Sequence, residues 1–300
     1  MRPTRRPAAL LAATATAVLA LSACGGSDPL DASSDTGSSD TIVVGSQAYY
    51  SNEIIAEIYA QALEAEGFTV ERNFSIGQRD AYMPALESGE VQLFPEYTGN
   101  LLQFFDPEAT ATTPDEVYAA LEEALPEGLA VLDQSTATDQ DSYNVTAAFA
   151  QENNLSSLAD LASVSVPLTL GGPPELEERP YGPSGLQEKY GVPVGFAATG
   201  DTTVEDLLAG TVNIANVYSA DPRIQTEDLV TLDDPEGLFL ASNVVPLVNS
   251  EIAGEIADVI NAVSAKLTPE GLVALNVQST VDQRSSDDIA AQWLEENGLL

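Results

Sequence analysis

"GEVQLFPEY", residues 89–97, and "GTVNIANVY", residues 210–218, share one pattern: glycine, a spacer, valine, a spacer, leucine or isoleucine, and a tyrosine four positions on. Each follows the apolar end of a helix-patterned segment, "PALES" (84–88) in one case and "DLLA" (206–209) in the other. Val91 with Leu93, and Val212 with Ile214, put two apolar side chains on one face of a short strand. A helix that stops at glycine, a strand, and a tyrosine at its end therefore occur twice, 121 residues apart. The repeat implies two similar α/β lobes, each delivering a tyrosine from a strand end into a shared cleft. In the first copy the strand is expected to stop at Pro95, which has no N–H for a ladder, and to hold out Glu96, Tyr97 and Thr98 beyond it.

The surrounding sequence repeats the same grammar. "TIVVGS" (41–46) is a continuous apolar strand, and Ile54, Ile55, Ile58, Tyr59, Ala62 and Leu63 then fall on one helical face. Ser51 is the expected N-cap of that helix and Gly67 its stop. "FTVERNF" (68–74) alternates as a strand before the helix "DAYMPALESG" (80–89). Farther on, "SLADLAS" (157–163) reads as helical and "VSVPLTLGG" (164–172) as a strand, and "GPSGLQEKYG" (182–191) opens a helix. "VPVGFAAT", "DTTVEDLLAG" and "TVNIANVYS" give strand, helix and strand. Two helices are expected at Glu251–Leu267 and Pro269–Asn276, then a terminal segment that Trp293 packs down. Strands separated by helices make a mostly parallel sheet with ligands at the strand C-terminal ends.

The first 23 residues place Arg2, Arg5 and Arg6 ahead of the apolar run "AALLAATATAVLALSA", which suits a signal peptide better than a membrane span. The sequence "LSACG" (21–25) resembles a bacterial lipobox with Cys24 as the lipidated residue. Cys24 is the one cysteine of the chain, so an internal disulfide framework is excluded. Residues 24–40 are rich in Gly, Ser and Asp, too polar to fold, and read as a flexible tether. Residues 25–40, as a 16-residue coil, span roughly 20–24 Å. The expected localisation is extracytoplasmic, lipid-anchored to the cell membrane.

Without the leader, 7 basic residues face 47 acidic ones, a formal charge of −40 against −37 for the whole chain. Nucleic acid is a poor partner for such a surface, because phosphate contacts need lysine and arginine. There is no histidine, so Ser-His-Asp and Cys-His catalysis are excluded and zinc is disfavoured. "DQDSYN" (139–144) begins like a calcium loop but has Asn144 at the glycine position and Ala150 where the bidentate Glu belongs. The glycines show neither Walker A nor dinucleotide spacing. No metal, no cofactor and no enzymatic activity are expected; a carboxylate-based hydrolase is the remote alternative.

What remains is tyrosines near glycine-punctuated turns, and few basic residues. Arg72 and Arg79 are expected to be solvent-exposed. Arg179 lies in "GGPPELEERPYGPSG" (171–185), a loop too rich in Gly and Pro for a helix. Its guanidinium either makes a surface ion pair with Glu175 or Glu178 or clamps a carboxylate.

"IVVGSQAYYSNEIIAEIYAQALEAEG", "ALESGEVQLFPEYTGN", "DQDSYNV", "LEERPYGPSGLQEKYG" and "NVYSADPRIQTEDLVTLDD" occur in the order and spacing of a known family. The chain resembles, over nearly all of residues 41–300, the substrate-binding proteins of glycine betaine, choline and carnitine uptake ABC transporters, the OpuAC family. "PEYTG" (95–99) and "RPYGPSGL" (179–186) are the more specific parts. The resemblance implies an α/β, two-lobed periplasmic-binding-protein fold of class II, with the ligand cleft between the lobes. Lobe 1 would comprise residues 41–140 and 243–300, and lobe 2 residues 141–242. The function implied is capture of a quaternary-amine compatible solute by a monomer that delivers it to an ABC permease and ATPase complex.

Carried onto matching positions, the resemblance makes Tyr97, Tyr143 and Tyr218 a cage for the ammonium group, with Asp141 beside the cation. Arg179 would take a ligand carboxylate, and Ser46, Gln47 and Asn100 would contact the ligand's other end. The chain departs from the pattern in three places. Gln47 replaces a lysine, Asn100 replaces a threonine, and Ser242 and Asn243 stand where a fourth cage tyrosine is expected. Asn243 is therefore a candidate contact, with Tyr49 or Tyr50 able to supply the absent wall. These departures leave open another polar solute, such as ectoine or an amino acid.

Overall fold

The computed structural model describes residues 41–300. The signal peptide, the tether and the lipidation at Cys24 expected from residues 1–40 lie outside the described residues. Among the described residues ten strands form two sheets. The first sheet holds β1 (Thr41–Gly45), β2 (Thr69–Asn73), β3 (Leu93–Tyr97) and β4 (Leu129–Val131). The second holds β5 (Asp141–Thr146), β6 (Thr169–Gly172), β7 (Gly195–Ala198), β8 (Ile214–Tyr218) and β9 (Leu229–Thr231). The chain then returns to the first sheet as β10 (Val244–Asn249).

The strand orders are β2-β1-β3-β10-β4 and β7-β6-β8-β5-β9, so β3 and β8 hold equivalent central places. Each lies parallel to the neighbour on one side and antiparallel to the crossing strand on the other. The sequence repeat is thus a structural one. Gly89 and Gly210 both have φ +75°, the left-handed conformation that ends the preceding helix and turns the chain into the strand.

Strand β3 does not stop at Pro95. It continues through Glu96 to Tyr97, with Pro95 opposite Pro246 of β10. A pair in which neither residue has an N–H fits a non-hydrogen-bonded position of the antiparallel ladder, so the two prolines cost no bond between β3 and β10.

The first lobe buries one face of the helix Tyr50–Ala65 against β1 and the C-terminal helices Ala253–Ser264, Pro269–Thr280 and Ser286–Asn297. Ile54, Ile55, Ile58 and Leu63 are fully enclosed, and Trp293 closes this core as expected. Each such side chain contributes roughly 1.5–3 kcal/mol through burial. The Ser51 hydroxyl does not cap this helix; Tyr49 holds the N-cap position with no side-chain bond. Around Tyr143, Leu170, Leu186 and Ile214 a separate core fills the second lobe.

The two crossings between the sheets run side by side. Thr138 and Asn243 form an antiparallel bridge, Ala137 O accepts from Val244 N at 2.9 Å, and Ser242 O accepts from Asp139 N at 3.3 Å. Strands β5 and β10 therefore begin where β8 and β3 end: Asp141 stands opposite Tyr218, and Val244 opposite Tyr97. That register brings two strand-end tyrosines and the crossing segments to one place.

Candidate ligand site between the lobes

An inner chamber of about 40 Å³ lies at this junction and shares Tyr49, Asn216 and Tyr218 with an outer chamber of about 810 Å³. Of the nine residues expected to meet a ligand, Gln47, Tyr97, Asn100, Asp141, Arg179 and Tyr218 line the inner chamber. The other three do not. Tyr143 lies two residues along β5 from Asp141, on the same face but about 7 Å deeper. It is fully buried in the second core, its hydroxyl donates to the Tyr181 carbonyl, and its ring meets Phe239 edge-on at 5.0 Å. Ser46 is also fully buried, with its Oγ donating to Gln47 O at 3.1 Å and accepting from Ser75 N at 2.9 Å. Asn243 serves the crossing: its side chain donates to Ser135 O and its backbone N–H to Thr98 Oγ1, both at 3.0 Å.

Two further tyrosines complete the wall, one of them Tyr49, a candidate for the absent cage position. Tyr181 and Tyr49 bring the tyrosines lining the chamber to four. Tyr181 belongs to the "RPYGPSGL" segment, whose glycines answer a steric demand. A Cβ on Gly182 would lie 2.1 Å from Leu176 O, and one on Gly185 2.1 Å from Pro180 O. The tight fold of this segment sets Arg179 and Tyr181 on the chamber together. Tyr49 crosses from the first lobe to meet the Tyr218 ring at 5.1 Å and 47°, and its hydroxyl donates to Asp139 Oδ2 at 3.1 Å.

Arg79 is the main reversal. It is 7% exposed rather than solvated, and its Nε and Nη2 donate to the two oxygens of fully buried Glu96 at 2.8 and 2.9 Å. Glu96 also accepts from the Tyr97 N–H at 2.9 Å and from the Tyr82 hydroxyl, to which Gln47 donates at 3.3 Å. The helix Arg79–Glu87 starts at the chamber, so its first residue is the one turned inward. Arg72, by contrast, makes a half-exposed pair with Glu57 and Glu64.

The charges of the chamber are unequal. Arg79 is neutralised by Glu96. Asp139 and Asp141 are both buried, and neither has a cationic partner in an ion pair among the described residues. Asp139 accepts from Tyr49 and from Ala220 N at 3.1 Å. Burial nevertheless pushes its carboxyl up to about 7, against those two hydrogen bonds and with added repulsion from Asp221. Asp141 accepts from Asn100 Nδ2 at 2.6 Å and Asn216 Nδ2 at 2.8 Å, while burial raises it as well. Arg179 makes neither the ion pair with Glu175 nor the one with Glu178; its guanidinium has no bonded partner among the described residues. Four tyrosines, two buried carboxylates and one guanidinium without a bonded partner among the described residues thus line one space.

Comparison with known proteins matches this chain to one family. The model of the OpuAC family, described as the substrate-binding domain of an ABC-type glycine betaine transport system, matches residues 40–296. The glycine betaine-binding protein YehZ of Escherichia coli is 27% identical over 276 residues, covering 86% of this chain and 90% of that protein. The carnitine transport binding protein OpuCC of Listeria monocytogenes is 25% identical over 274 residues, covering 87% and 88%. A solved structure described as a glycine betaine/carnitine/choline ABC transporter shares the fold at a TM-score of 0.71 and 19% identity, covering 86% of this chain and 99% of that one. The family model covers nearly all of the described residues: this chain belongs to the OpuAC family, the substrate-binding domains of ABC-type glycine betaine transport systems, and so to a family of binding proteins rather than enzymes.

Proposed function

We propose that this protein captures a quaternary-amine solute of the glycine betaine, choline or carnitine type in the chamber between its lobes. Anchored through a lipid on Cys24, it hands the solute to a membrane permease as a monomer. The observation that carries this reading is the four tyrosines, Tyr49, Tyr97, Tyr181 and Tyr218, around a chamber with two buried carboxylates. A trimethylammonium group has no N–H to donate, so ring faces and nearby negative charge are what attract it. Each ring contributes roughly 0.5–2 kcal/mol, more when desolvated. Tyr181 and Tyr49 supply the walls that Tyr143 and the sequence before Pro246 do not. The function also needs two lobes that move: the ligand enters the open cleft, and closure of β3 and β8 ends around it signals a loaded state to the permease.

Titration calorimetry with glycine betaine, choline, carnitine and ectoine tests this reading. At least one quaternary amine should bind below about 1 mM, the −4.1 kcal/mol mark; binding of ectoine alone, or of none, overturns it. Tyr97→Ala should weaken binding about 3- to 30-fold, the loss of one cation–π wall, and Tyr97→Phe much less, because the ring face carries the interaction. Equal losses would remove Tyr97 from the cage. Arg179→Ala should weaken the carboxylate-bearing solutes tenfold or more while changing choline little, since only they offer a partner for the guanidinium, whose charged bonds are worth about 1.5–3 kcal/mol. Equal effects on both would refute the clamp.

A further inference from the structure

Asn216 lines both chambers, is 6% exposed, and its carbonyl oxygen has no hydrogen-bond donor. The orientation of this amide is fixed by its surroundings. Its Nδ2 donates to Asp141 Oδ1 at 2.8 Å, and a carboxylate can only accept, so the oxygen must point elsewhere. Asn100, which serves the other oxygen of Asp141, is complete by comparison. Its Nδ2 reaches Asp141 at 2.6 Å and the Tyr181 hydroxyl at 3.0 Å, and its Oδ1 accepts from Ser242 Oγ at 2.7 Å. Two amides hold one carboxylate, and one of them, on a residue that lines the binding chamber, has a buried acceptor left over.

A buried acceptor without a donor is costly, and a site built around one discriminates in favour of a ligand that supplies the donor. Glycine betaine has no donor: its nitrogen is quaternary and its carboxylate only accepts. We infer that Asn216 is a specificity-determining residue and that the solute is a quaternary amine carrying a hydroxyl. This inference rests on the function proposed above and narrows it. In such a ligand the trimethylammonium group meets the tyrosines, the hydroxyl donates to Asn216 Oδ1, and a carboxylate, where present, meets Arg179. The amide also explains why the centre of an apolar strand, "IANVY" (214–218), carries an asparagine opposite Tyr143.

Pairs of ligands differing only by the hydroxyl test the inference in the unaltered protein, so that no variant need fold for the test to be decisive. One pair is carnitine and 4-(trimethylammonio)butanoate; the other is choline and ethyltrimethylammonium. Calorimetry should show the hydroxylated member of at least one pair binding about tenfold tighter or more, as a satisfied buried acceptor requires. In Asn216→Ala that ratio should fall close to one. In Asn100→Ala, which strips Asp141 of its other amide but leaves the Asn216 oxygen in place, the ratio should persist even where overall affinity drops. Equal affinities within both pairs overturn the assignment, as does a ratio that survives Asn216→Ala. Loss of the ratio in Asn100→Ala overturns direct reading in favour of positioning through Asp141. Binding of both members without preference sinks this inference alone, whereas binding of neither member of either pair, with glycine betaine silent too, sinks the proposed function and this inference with it.

Discussion

Glu96→Ala is expected to cost about 3–5 kcal/mol of folding stability, the loss that follows when one member of a buried ion pair is removed and the other is stranded. Glu96 is fully buried and Arg79 is 7% exposed, so neither charge can turn to bulk water. The carboxylate receives both arms of the guanidinium fork, the Tyr82 hydroxyl and the Tyr97 N–H, and the alanine variant leaves all of these donors unpaired. Arg79→Met combined with Glu96→Leu should recover much of the loss, because an apolar pair of similar volume leaves no stranded charge. Urea unfolding at neutral pH measures both variants. A loss below about 1 kcal/mol for Glu96→Ala, the range of exposed pairs, would show that the network is solvated instead. The single variant should also weaken cation binding, since it leaves the Arg79 charge uncompensated on the chamber wall. In the double variant no such charge remains, so its ligand affinity should exceed that of Glu96→Ala even if their stabilities were equal.

The helix–glycine–strand–tyrosine repeat was legible in the sequence because its signals are local. A glycine at φ +75° and alternating apolar residues depend on nearby chain alone, and they located β3, β8 and the tyrosines at their ends. Pro95 was misread for the opposite reason. Whether a proline is tolerated in a strand depends on which residue stands across from it, and Pro246 lies 151 positions away. The same holds for the arginines: a position at the start of a helix does not reveal that the helix starts at a cleft, so Arg79 looked exposed. Tyr143 and Tyr181 lie at different depths because strand pleat and loop path decide which side chain reaches the chamber. Both lie in segments that were singled out, yet Tyr143 supports the Tyr181 carbonyl from below while the Tyr181 side chain lines the chamber. For Asn216 a signal existed, a polar residue within a buried central strand, and only the partner of its Nδ2 shows what its oxygen lacks.

Affinity for the cation should rise about tenfold between pH 6 and pH 8, with Asp139 as the group that titrates. Its carboxyl is pushed from 3.8 up to about 7 by burial, so near pH 6 it is mostly protonated and offers no charge to the ligand. A bound ammonium stabilises the carboxylate; if it draws the bound-state pKa below about 5, linkage gives the tenfold rise, with close to one proton released on binding at pH 6 and few at pH 8. Calorimetry in buffers of different ionisation enthalpy counts that proton. The effect on stability has the opposite direction. The folded protein holds the Asp139 proton more tightly than the unfolded chain, so between about pH 4 and pH 7 stability falls as pH rises, by on the order of 4 kcal/mol in all. Repulsion among the surface acids pushes the same way as they ionise, which is why the difference between wild type and Asp139→Asn, rather than the wild-type slope, isolates the group. The window from pH 6 to pH 8 is unusually clean here. With no histidine in the chain, no side chain with an ordinary pKa near neutrality contributes to it. The charged and titratable neighbours of Asp139 are Tyr49, Tyr50, Tyr97, Tyr218, Asp221 and, across the chamber, Asp141; the tyrosines are all raised above their ordinary range and stay neutral in this window. Asp141 is itself raised by burial and remains in Asp139→Asn, so a pH dependence of binding that persists in that variant would transfer the role to Asp141. A flat profile in the variant and a steep one in the wild type would tie proton release to Asp139, the carboxylate to which Tyr49 donates beside the crossing segment.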